Sequence, residues 1–342
     1  MMFQKELLAE LESRSGIKSR IADEEKALPF EGFSPVTFTK KSFLSLKENR
    51  SSSSLSVLAV DGGNSPILEG ESFTLDFVRV SYCIFSEERV KKAETYSGFI
   101  LAYLDRFSEE KDELIIKAAI FDSTGLSGFS EECYEFSFEG GTSQVSSQLR
   151  ESVNNIRRSM ELSLCIQQAA RINNAVLLLD GSLYEKESAG LINELYALSV
   201  SNSLKVFGIS KTSSIFTRSG KHLGSLLMAD SPKGEWAVLI AKSKPAPCID
   251  VFFARLNKSS GLCFRIDTFS ESAGSLTALL PLSKHSAFLG YPYPLIVADR
   301  NARVKNQDKH FLSTYLKRAV NDKQLETVES ILRAHDFLDK IG

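Results

Sequence analysis

The sequence is poor in the residues that build cross-linked or metal-clipped frameworks. Its five cysteines, at 83, 133, 165, 248 and 263, form no CxxC pair, and their odd number and wide scatter argue against a disulfide framework or a zinc knuckle. Histidine is scarcer still, with four, at 222, 285, 310 and 335, and none lies in a motif tying it to a nucleophile. There is no G-x-S-x-G elbow, so Ser182 has no acyl-transfer context, and no G-x-x-x-x-G-K-[ST] phosphate loop. Long apolar runs are missing: AVLLL and WAVLIA reach only about a quarter to a third of a membrane-spanning helix. The opening MMFQKELLAELESRSG mixes acids and bases too evenly for a secretory signal. Nor does one sign of charge prevail, since 41 Lys and Arg stand against 43 Asp and Glu for a net charge of −2, so any attraction to nucleic acid or membrane must be local. These absences imply a cytoplasmic chain with reduced cysteines and no membrane segment.

What is present is an ordinary globular composition, 342 residues and 43% hydrophobic, enough for a large core. Residues 2 to 28 read as a helix carrying Leu7, Leu8, Leu11 and Ile21 and ended by Pro29. The tetraserine at 51 to 54 reads as a loop tip, after which LSVLAVDGG, a turn through Asn64, Ser65 and Pro66, and FTLDFVRVSYCIF read as a hairpin. LIIKAAIFDS at 114 to 123 follows as a strand, with Asp122 as a turn residue. From 145 to 171, Val145, Leu149, Val153, Ile156, Met160 and Leu164 step by three or four, the mark of a long amphipathic helix. It feeds the strand AVLLLDG, a shorter helix at about 185 to 201 and the strand KVFGISK, an order that implies parallel pairing with right-handed crossovers. WAVLIAK, IDVFFARL and LCFRIDTF read as an antiparallel insertion, and the remainder from about 271 as helical. The fold class is α/β, a mixed sheet with helices on its faces. The organisation expected is an N-terminal helical extension over 1–50, the main domain over 51–310 and C-terminal helices over 311–342.

Two stretches repeat one design: SVLAVDGGN at 56 to 64 and AVLLLDGSL at 175 to 183 each run apolar and stop on Asp-Gly. Either pair by itself fits plain turn chemistry. Ligands of such sheets gather at the carboxyl ends of strands, however, and an ionised aspartate at a buried strand tip needs a partner or a cation. Asp61 and Asp180 are therefore candidate ligands for magnesium or manganese. Chain arithmetic supplies a third. From Glu161 the helix travels on the order of 15 Å at 1.5 Å per residue, and the strand to Asp180 returns roughly 16 Å at about 3.3 Å per residue. Glu161 should stand level with Asp180, on the shoulder of the apolar stripe.

VDGG at 60 to 63, the helix with Glu161, LLLDGSL at 177 to 183, GISK at 208 to 211 and YPYPLIVADRNARV at 291 to 304 occur in an order and spacing that resembles the NurA family of prokaryotic nucleases. The similarity spans about residues 55 to 305. It implies an RNase H-like core, a homodimer, Mn2+- or Mg2+-dependent cutting of DNA, and partnership with a HerA-type hexameric translocating ATPase in processing DNA ends. By that resemblance Asp61, Glu161 and Asp180 match the metal-binding acids and Lys211 the lysine closing the GISK strand. Asp299 stands where the family often has histidine; it can ligate a hard cation but cannot act as an imidazole. Tyr291 matches an aromatic position suited to a turn anchor or a DNA contact.

In the chemistry implied, two divalent ions neutralise the phosphate, activate water and stabilise the leaving oxygen. Asp61 would bridge them, Asp180 and Glu161 would be outer ligands, and Lys211 would hold the phosphate. Arg157, Arg158, Lys211, Arg218, Arg300 and Arg303, with Tyr291, are the candidate DNA contacts, suited to binding without sequence readout. The rival readings are an ATP-dependent kinase or actin-like ATPase, which needs a duplicated domain that the sequence lacks, and a catalytically inactive scaffold for a DNA translocase.

Overall fold

The computed structural model describes residues 20–21, 24–30, 32–48, 55–86, 89–108, 110–122, 133–139, 144–184, 186–243, 247–269, 273–286 and 288–319. In chain order the strands and helices are β1 (Glu25–Lys26), β2 (Phe33–Pro35), β3 (Thr37–Phe38), β4 (Leu44–Ser45), β5 (Ser56–Glu69), β6 (Phe73–Ser86), β7 (Arg89–Ser108), β8 (Glu113–Asp122), β9 (Cys133–Glu139), α1 (Val145–Ala169), β10 (Ala175–Asp180), α2 (Ala189–Ser201), β11 (Lys205–Ser210), α3 (Leu223–Asp230), β12 (Trp236–Ser243), β13 (Ile249–Arg255), β14 (Phe264–Phe269), α4 (Tyr293–Ala302) and α5 (Asn306–Ala319). They form two compact units: Met1–Val60, Cys83–Lys92 and Cys165–Val297 make the first; Asp61–Tyr82, Ala93–Leu164 and Ala298–Gly342 make the second.

In the first unit the strand order is β2-β12-β13-β14-β11-β10-β5. β10 runs parallel to both β5 and β11, with Leu179 opposite Val60 and Asp180 opposite Ile209. Ala175 to Leu179 are all buried, which is what a strand covered on both faces requires. α2 supplies the crossover from β10 to β11. β14, β13, β12 and β2 then add antiparallel, as the three apolar segments after residue 235 lead one to expect. A core built on Trp236, Phe38, Phe253, Ile240 and the α3 residues Leu223, Leu226 and Leu227 packs this end.

In the second unit the order is β5-β6-β7-β8-β9, with β7–β8 and β8–β9 antiparallel. Val145, Leu149, Val153, Ile156 and Met160, the stepping apolar residues of α1 in this unit, are all buried. Asp76 on β6 is also buried; burial raises its carboxyl above the usual range, opposed by hydrogen bonds from Thr74 Oγ1 and Asn64 Nδ2, each 2.7 Å.

Several sequence expectations change. The turn at 64 to 66 does not form: β5 runs on through Asp61-Gly62-Gly63 to Glu69. The helix expected to reach residue 28 gives way to β1 at Glu25–Lys26, and its earlier part, residues 1 to 19, lies outside the described residues. So do the tetraserine at 51 to 54 and the helices expected beyond residue 319. β7, β9 and α3 carry weak sequence signals, because β7 opens on charged residues, β9 alternates aromatics with glutamate and serine, and α3 has only eight residues. Among the described residues, no helix is long and apolar enough to cross a membrane.

Candidate functional site

In the first unit the chemistry centres on Asp180. β10 ends on this residue because Gly181 follows at φ +94°, a backbone conformation that favours glycine, and turns the chain while its N–H donates to Ile209 O. Gly208 on β11 is bare for a related reason, since a Cβ there would sit 2.7 Å from Gly181 O. Both carboxylate oxygens of Asp180 are engaged: Lys211 Nζ donates to Oδ2 at 3.0 Å and the Tyr291 hydroxyl to Oδ1 at 2.9 Å. The lysine ammonium also lies 5.6 Å from the Tyr291 ring centroid, within cation–π range. Lys211 is 41% exposed in its side chain, whereas Tyr291 is buried at 1%.

In the second unit the centre is Asp61, 4% exposed, on β5. Its Oδ1 accepts from the Gly62 N–H at 2.7 Å, and an oxygen of Asp299 on α4 lies within 4.8 Å of one of its own. Asp299 is also held by Arg303, one helical turn on, whose Nη2 donates to Oδ2 at 2.6 Å. Glu161 is buried on α1, and both of its oxygens are ion-paired, one with Arg157 and the other with Arg158 at 2.8 Å. Arg157 in turn donates to Gly62 O at 3.1 Å.

The glycines after Asp61 allow this packing. A Cβ on Gly62 would run into the Glu161 carboxyl, and one on Gly63 would lie 2.8 Å from Ala302 O. Their role is close approach of backbone rather than turn formation, which is why the strand continues through them. Gly62→Ala is therefore expected to destabilise the protein by about 1–3 kcal/mol as an overpacked site, read as a lowered urea midpoint.

No family profile matches the sequence, and neither does any functionally curated protein. Among solved structures, the NurA nuclease from Sulfolobus solfataricus aligns with a TM-score of 0.53 at 13% identity, over 94% of this chain and 96% of that one. The fold is NurA-like. The catalytic domain of human endonuclease V aligns with a TM-score of 0.36 at 14% identity, over 91% of this chain and 98% of that one. Argonaute from A. aeolicus aligns at 0.30 and 13% identity, over 76% of this chain and 29% of the longer one. The mixed sheet with flanking helices expected from the sequence is the arrangement found.

Within this NurA-like fold the expected DNA contacts divide by burial. Arg218, Arg300, Arg303 and Lys211 are exposed. Arg158 and Tyr291 are not: Arg158 is buried against Glu161, and Tyr291 is an internal anchor for Asp180, so neither presents a surface to DNA. Arg157, 23% exposed in its side chain, is bound to Glu161 and Gly62. Glu161, expected as an outer metal ligand, spends its oxygens on two guanidiniums.

One cluster escaped the sequence reading. Asp267 on β14, 1% exposed, accepts from Ser182 Oγ at 2.7 Å and from the Leu183 N–H at 3.1 Å, pinning the chain just after Asp180-Gly181. Arg265 donates to Asp267 through Nε at 2.7 Å and through Nη2 at 2.8 Å, and lies 5.4 Å from the ring centroids of both Phe30 and Phe33. The signal was the R-x-D of FRIDTF, which places both side chains on one face of a strand.

Proposed function

We propose that the protein is a divalent-metal-dependent nuclease, of exonuclease and single-strand endonuclease type, hydrolysing phosphodiester bonds in DNA. The observation that carries this reading is the pair Asp61 and Asp299, two carboxylates within 4.8 Å, the first almost fully buried. Like charges so close repel, and a hard cation relieves the repulsion. The resemblance to NurA nucleases adds Asp180 to the proposed ligand set. A donor set of carboxylate oxygens fits Mg2+ or Mn2+. Such ions, when bound, would neutralise the phosphate and lower the pKa of the attacking water.

The chain's own side chains then have separate tasks. Tyr291 and Lys211 orient the two oxygens of Asp180. Lys211, the more exposed of the two, is the cation that would contact a phosphate oxygen. Glu161 holds Arg157, and Arg157 the Gly62 carbonyl, so Glu161 sets the backbone that follows Asp61. Asp299 contributes oxygen where the family often has imidazole. Arg218, Arg300 and Arg303 are cations for backbone phosphate. The resemblance to NurA nucleases supports the remainder of the proposal: a cytoplasmic homodimer acting on single- and double-stranded DNA ends with a HerA-type hexameric ATPase in recombinational repair.

The deciding experiment incubates purified protein with end-labelled single- and double-stranded DNA in manganese, magnesium or chelator. Cleavage in metal that stops in chelator is expected. ATP turnover without cleavage would favour the actin-like or kinase reading, and neither activity would favour the scaffold.

A further inference from the structure

We propose that the exposed face of α5 is a stacking platform for the bases of single-stranded DNA, an inference that rests on DNA being the substrate. Phe311 and Tyr315 stand one helical turn apart and so share a face, yet they are 68% and 61% exposed. Their rings are nearly parallel, 19° between planes with centroids 6.4 Å apart. Two large rings held side by side in water lose the stabilisation that burial would give, a cost consistent with a partner that covers them.

The surroundings identify the partner. A shallow hollow of about 510 Å³ beside the rings is lined by Asn306, Gln307, His310, Phe311 and Thr314. It offers an aromatic wall together with amide and imidazole groups that hydrogen-bond base edges. The charge is complementary to a phosphate backbone. Asp308, the one acid of α5, is bonded by the Lys305 N–H at 3.1 Å and ion-paired with Arg79 at 2.8 Å, which holds its carboxyl below the usual range. Arg303, Lys305 and Arg318 are exposed along the same stretch. Aromatic rings flanked by cations are the combination that binds unpaired strands without reading sequence. Duplex bases are stacked within their own helix and cannot use the platform.

The test measures binding of the full chain to a short fluorescein-labelled oligothymidylate by anisotropy, in chelator so that nothing is cut. Phe311→Ala and Tyr315→Ala should each weaken binding on the order of tenfold, with Phe311→Trp retaining it. Affinity for a blunt duplex should not change. A strand of the same length bearing abasic sites should bind the wild type as weakly as the double alanine variant binds the intact strand. Unchanged strand affinity in the double variant would overturn the proposal, as would an equal loss on duplex, or no strand binding by the wild type. A shift in oligomeric state with strand affinity intact would assign the face to a second copy and overturn it too. Failure of the nuclease reading shows separately, as ring-dependent strand binding without metal-dependent cleavage.

Discussion

Asp61→Asn is expected to lower metal-dependent DNA cleavage on the order of 10³-fold while leaving the urea midpoint close to that of the wild type. The substitution keeps the shape of a side chain that is almost fully buried, and the amide oxygen can still accept the Gly62 N–H. It removes the charge that, with Asp299, makes the position attractive to a cation. Losing several kcal/mol of transition-state charge stabilisation corresponds to about three powers of ten in rate. Raised manganese should restore part of the activity if the defect is in metal affinity. Initial rates on end-labelled single-stranded DNA over a manganese titration read both effects. Full activity in this variant would remove Asp61 from the ligand set.

Glu161→Ala should act on stability as well as on activity, lowering the unfolding free energy by about 3–5 kcal/mol. Both oxygens of Glu161 are committed to guanidiniums, and Arg158 is nearly as buried as its partner, at 8% against 1% side-chain exposure. Removing the carboxylate takes a counter-charge away from a buried guanidinium in a medium that solvates it poorly, which costs more than the pair contributed. Arg157 adds to the loss, because without Glu161 its bond to Gly62 O is no longer held in place. Glu161→Gln should fall between wild type and alanine, retaining shape and one acceptor oxygen. Urea unfolding followed by far-ultraviolet circular dichroism measures this directly. An unchanged midpoint with weakened manganese binding would instead make Glu161 a ligand whose arginine pairs are incidental.

Much of the architecture was legible because its signals are local. The five apolar residues before Asp180, the three-and-four spacing of α1 and the antiparallel series after residue 235 report burial along a single element, and periodicity records that. The parallel pairing of β10 with β11 was also legible, since a strand-helix-strand order leaves few alternatives, whereas β8, the strand that the sequence signals before the long helix, pairs with β7 and β9 and leaves β5 as the other parallel neighbour of β10. The Asp-Gly pairs show where that ends. One chemical signal, an aspartate before glycine, closes a strand at Asp180, where Gly181 has positive φ, and runs through the middle of a strand at Asp61, where the glycines admit Glu161 and Ala302.

The sequence by itself determined which segments are buried, that β10 and β11 pair in parallel and that Asp180 closes its strand, because those properties follow from neighbours a few residues away. Only the tertiary structure decided the partners of the charges. Tyr291 reaches back across more than a hundred residues to Asp180, and Asp267 secures Ser182 from a distant strand. Electrostatic pairing depends on distances of a few ångströms in the folded state, and no pattern along the chain encodes which remote side chain will arrive there.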